Sequence, residues 1–66
     1  MYLINCEVIE TRYMSDKDNR YEMNHIVDAL SEKDAEEKLR NHYEKMNNEW
    51  FIFQVKMYLI DILMKN

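Results

Sequence analysis

The sequence predicts a single α+β domain over residues 1–66, of element order β-β-α-β, with a three-stranded antiparallel sheet of order 2-1-3 and one helix on one face. Three observations predict it. Apolar residues alternate with a period of two from Tyr2 to Ala29, broken once by a polar turn. They recur at helical spacing from Ala35 to Met46, behind a serine cap, and alternate again from Glu49 onward. A right-handed crossover through the helix then lets the third strand lie beside the first.

Each element follows from its residues. Residues 2–14 read as a strand, with Tyr2, Ile4, Cys6 and Val8 on one face and Leu3, Ile9 and Tyr13 on the other. A strand apolar on both sides suits the sheet centre. The run Ser15-Asp16-Lys17-Asp18-Asn19-Arg20 is the turn, where Asp18 or Asn19 is expected to take positive φ in a chain without glycine. Tyr21, Met23, His25, Val27 and Ala29 share a face of the second strand. Ser31 opens the helix, and Asp34 three residues later makes a variant capping box. Ala35, Leu39, Tyr43 and Met46 form its apolar stripe, which fades near Asn47-Asn48. In the last strand Phe51, Phe53, Val55, Met57 and Leu59 share one face, and Trp50, Ile52, Tyr58, Ile60 and Ile62 the other.

Composition narrows the function. The chain has neither glycine nor proline, so the glycine-rich loops that cradle nucleotides are excluded. A net charge of −4 argues against a general nucleic-acid binder, which needs a basic face. One cysteine allows no internal disulfide and points to a reducing compartment. The stretch from Trp50 onward is broken by Gln54, Lys56 and Asp61 and is too interrupted to span a bilayer. The N-terminus has no basic region and meets Glu7 early, unlike a signal peptide. A soluble cytoplasmic protein is expected.

Cys6, His25 and His42 are the only soft or borderline metal ligands, and they are scattered, so no metal or cofactor is expected. A Cys6–His25 nucleophile pair is conceivable across neighbouring strands, but nothing in the sequence supplies an oxyanion hole. No catalytic residue is assigned, and the chain is read as a binding protein and not an enzyme. Two surfaces are candidates. Asp28, Glu32, Asp34, Glu36 and Glu37 stand against Lys33 alone, a local balance of −4 that equals the charge of the whole chain. This acidic face is the expected partner-binding site, and in a homodimer it would form two anionic ridges resembling the phosphate rows of DNA. The second surface is the sheet face opposite the helix, expected to carry Leu3, Ile9, Tyr13 and Ile26 with Trp50, Ile52, Tyr58, Ile60 and Ile62. Exposed apolar patches of such size are rare on monomers, so the last five residues are expected to form a dimer interface. The alternative is that the segment Met57–Met64 folds back, or turns helical, and covers the sheet itself.

The stretch His25-Ile26-Val27-Asp28-Ala29-Leu30-Ser31-Glu32-Lys33-Asp34-Ala35-Glu36 resembles the strand-to-helix junction of a small phage- and Bacteroides-associated family of unknown function. The resemblance implies a phage-like origin and the same β-β-α-β fold. A second likeness, in size, charge and element order, is to small acidic phage inhibitors of host DNA-processing proteins. The expected function is therefore a small regulatory protein that occludes a host protein through its acidic face. The alternative is an assembly adaptor that binds a different subunit through the apolar sheet face.

Overall fold

The computed structural model describes residues 1–63 and has the expected architecture. Strands β1 (Tyr2–Arg12), β2 (Asp18–Val27) and β3 (Phe51–Ile62) and helix α1 (Glu32–Glu44) follow in the order β1-β2-α1-β3. The sheet order is β2-β1-β3, and β1 pairs antiparallel with both neighbours. Strands of this length span close to 40 Å at ~3.3 Å per residue. The molecule is accordingly a ribbon of 47 × 19 × 13 Å.

The core lies between the sheet and α1. Ile4, Cys6 and Val8 of β1 are buried beneath Ala35, Leu39 and Tyr43 of the helix. Val27, Phe53, Val55, Met57 and Ile60 pack around them. Ser31 caps the helix as expected, its hydroxyl accepting from the Asp34 N–H at 3.1 Å. The helix lies closer to β3 than to β2. Tyr21 and Met23, on the covered face of β2, consequently stay partly exposed.

Two local expectations change. Positive φ falls on Met14 (61°), not on Asp18 or Asn19. Asp18 already pairs with Thr11 in the ladder, so the chain reverses earlier, in a turn closed by the Ser15 N–H donating to the Arg12 carbonyl at 3.1 Å. Without a glycine to accept the left-handed conformation, Met14 bears its cost of about 1 kcal/mol. The alternative of a folded-back or helical Met57–Met64 segment does not hold where it is described: Met57 to Ile62 continue as the expected strand beside β1, and Met64 lies outside the described residues.

The second change is the larger. The β1–β3 register shifts between Asn5 and Cys6: Cys6 lies opposite Met57 and Asn5 opposite Leu59, so Tyr58 is an extra residue on β3. A bulge of this kind inverts the side-chain alternation beyond it. Ile60 and Ile62 therefore stand opposite Ile4 and Tyr2, on the helix-covered face. Leu59, expected beside Met57, joins Tyr58 on the open face. The assignment of Ile60 and Ile62 to the open face is thereby corrected.

Candidate interaction surface

The bulge also changes the make-up of the open face. Its central rows carry Glu7, Glu22 and Arg20 beside Gln54 and Lys56. Arg20 reaches Glu7 at 3.5 Å and Asp18 at 3.9 Å. The expected continuous apolar patch is divided by this charged band into two clusters. One gathers Leu3, Ile26, Tyr58 and Leu59, and the other Ile9, Ile52, Tyr13 and Trp50. The Tyr13 and Trp50 rings meet edge to face with centroids 6.2 Å apart.

Exposed apolar side chains concentrate on one element. Trp50 (61 % exposed), Ile52, Tyr58 (55 %), Leu59, Ile62 and Leu63 all lie on or beside β3. β3 is also a sheet edge, whose outer side pairs with no other strand of the sheet. Of the residues expected at an interface, Trp50, Ile52, Tyr58 and Ile62 are exposed and Ile60 is half-buried against the core. Lys56 Nζ sits 5.8 Å from the centre of the Tyr58 ring. Packing around the Tyr58 phenol, together with the carboxylates of Glu7 and Glu22, pushes its pKa above the ordinary tyrosine value.

The five acids do not act as one surface. Asp34 is half-buried and works within the fold: it accepts from the Leu30 N–H at 3.0 Å and pairs with Lys38 at 3.4 Å. The Leu30 N–H first, and Lys38 after it, lower its pKa below the usual carboxylate value against an opposing effect of burial. Glu36 pairs with Arg40 at 3.1 Å. Among the described residues, Asp28, Glu32 and Glu37 have no cation within ion-pair distance. The acidic count from Asp28 to Glu37 ends one residue before Lys38, and one turn of helix brings that cation back over Asp34.

Reading along the sequence missed a cluster on the β2 side of the helix. His25 Nε2 and the Tyr43 hydroxyl are hydrogen-bonded at 2.6 Å, and the His42 ring lies 5.2 Å from that of Tyr43 and 6.3 Å from that of His25. The signal was present, since His25 lies in the apolar row of β2 between Met23 and Val27, and His42 borders the helix stripe. Burial first, and the nearby His42 second, lower the His25 pKa. Cys6 takes no part: its thiol donates to the Met23 carbonyl at 3.6 Å, and burial raises its pKa, which favours the unreactive protonated form. Among the described residues no group of three His, Cys, Asp or Glu side chains is placed to hold a metal ion. No helix among them is long and apolar enough to cross a membrane.

The His25 shift has a stability consequence. Above the ordinary histidine value of 6.5 the ring is neutral in both folded and unfolded chains. As pH falls below it, the unfolded chain takes up a proton before the folded one does, so stability declines until the lowered folded value is passed. The melting temperature should fall between about pH 7 and pH 5, and His25→Gln should flatten that decline. An equally steep decline in the variant, followed by circular dichroism, would assign the effect to other groups.

No family model, curated protein or solved structure matches the chain.

Proposed function

We propose that the chain is a non-catalytic interaction module that binds another polypeptide through β3. The observation that carries this reading is the collection of large exposed apolar side chains between Trp50 and Leu63, on a strand whose outer edge is unpaired within the sheet. Covering these water-exposed apolar groups is favourable, at ~25 cal/mol per Å². An added strand would supply the missing main-chain hydrogen bonds at the same time.

A second reading, a regulatory protein that occludes its partner through an acidic face, draws support from Asp28, Glu32 and Glu37. It is the narrower reading, because Asp34 and Glu36 already have cationic partners.

One experiment separates the two. Peptides selected from a displayed library against the purified chain should lose binding to Ile52→Asp/Tyr58→Asp and keep it to Asp28→Asn/Glu32→Gln/Glu37→Gln. The opposite pattern, with binding that weakens steeply in salt, would transfer the function to the acidic face. Failure to select any peptide that depends on either surface would remove both.

A further inference from the structure

We infer that the polypeptide bound by β3 is a second copy of the chain, joined edge to edge and antiparallel about a two-fold axis between Tyr58 and Leu59. This rests on the reading of β3 as the interaction surface and adds its occupant and register.

The backbone determines which part of the edge is open. The Tyr13 N–H donates to the Trp50 carbonyl at 2.7 Å. In an antiparallel ladder inward and outward groups alternate, so Phe51, Phe53, Val55 and Met57 turn their N–H and C=O away from β1. At the other end the Leu63 N–H donates to the Met1 carbonyl at 2.9 Å, which makes Ile60 and Ile62 the outward residues there. The bulge at Tyr58 separates the two phases. The first part of the edge is already closed by the loop before β3. Asn47 Oδ1 accepts from the Phe53 N–H at 2.6 Å, and Asn48 Oδ1 from the Phe51 N–H at 2.9 Å. The Phe51 carbonyl in turn accepts from the Asn48 N–H at 3.0 Å. What stays open runs from Val55 to Ile62, and its midpoint lies between Tyr58 and Leu59.

Antiparallel pairing about that midpoint is self-complementary in three independent respects. Val55 meets Ile62 of the second copy and Met57 meets Ile60, outward backbone against outward backbone, so both pairs exchange main-chain hydrogen bonds. The same four side chains lie on the helix-covered face, so apolar groups meet apolar groups. Lys56 meets Asp61, both on the open face, with opposite charges in the more closely spaced non-hydrogen-bonded position. Among the described residues neither Lys56 nor Asp61 has an ion-pair partner within the chain. Sliding the strands by one or two residues sets Lys56 against Leu59, Ile60, Ile62 or Leu63 instead. The product is a six-stranded sheet whose outer edges are the two β2 strands. Their Asp18, Arg20 and Glu22 discourage further strand addition.

The test is sedimentation equilibrium of the wild type, Lys56→Asp, Asp61→Lys and the Lys56→Asp/Asp61→Lys double variant, with circular dichroism confirming the fold of each. The wild type should be a dimer. Each single change sets like charges opposite each other at two symmetric positions and should weaken the dimer roughly tenfold, and the double variant should restore it. A dimer indifferent to both single changes overturns the register. A wild type monomeric at every concentration, whose selected peptides still require Tyr58, overturns self-pairing and leaves the interaction module standing. A monomer with no such peptides overturns both.

Discussion

Leu39→Ala should leave the domain largely unfolded at physiological temperature. Leu39 is 3 % exposed and lies among Ile4, Cys6, Val8, Ala35 and Tyr43, with which it makes up the buried core of the described residues. Truncating a buried leucine costs about 2–5 kcal/mol, against a total of ~5 kcal/mol for a small domain. The described residues form a single helix, and one cysteine allows no internal disulfide to share the loss. Loss of the cooperative thermal transition, followed by circular dichroism, is the expected result. Glu37→Ala, on the exposed side of the same helix, should melt within a few degrees of the wild type. A cooperative Leu39→Ala transition near the wild-type temperature would mean that the stability resides elsewhere, most directly in a dimer.

The second large effect is expected at Asn48. Its side-chain oxygen accepts from the N–H groups of both Trp50 (2.7 Å) and Phe51 (2.9 Å). Asn48→Ala removes both bonds, a loss of about 1–2 kcal/mol at an exposed site. It also frees the outward Phe51 N–H, so that at the start of β3 only the Phe53 N–H stays closed, by Asn47. Long, apolar, unprotected edges template association between chains. The variant should therefore aggregate beyond a dimer, seen by light scattering at concentrations where the wild type keeps a constant mass. Constant mass in the variant would show that Asn48 serves the loop alone and does not guard the edge.

The fold was legible because each of its determinants is local. Alternation in β1, the Ser31 cap and the Ala35-Leu39-Tyr43 part of the helix stripe are all properties of neighbouring residues, and all stand in the structure. Element order and the doubly apolar first strand then sufficed for the sheet order 2-1-3. The surfaces were less legible. The acidic count along Asp28–Glu37 read as a patch because it followed the chain, whereas a helix folds Lys38 and Arg40 back over Asp34 and Glu36. The His25–Tyr43 bond joins residues eighteen positions apart, on elements whose mutual placement no local pattern specifies.

The sequence by itself determined which segments form strands and helix and which strand is central; of its four stripe residues Ala35, Leu39 and Tyr43 enter the core, while Met46, beyond the end of α1, stays exposed. Periodicity and capping are written in adjacent residues, and burial follows from them. Only the tertiary structure decided where the β3 alternation breaks. The extra residue at Tyr58 is defined by what stands across from it on β1, and one inserted position exchanges the faces of every residue that follows. That single irregularity moves Ile60 and Ile62 to the covered face, leaves Tyr58 and Leu59 on the open one, and sets the phase of the free edge.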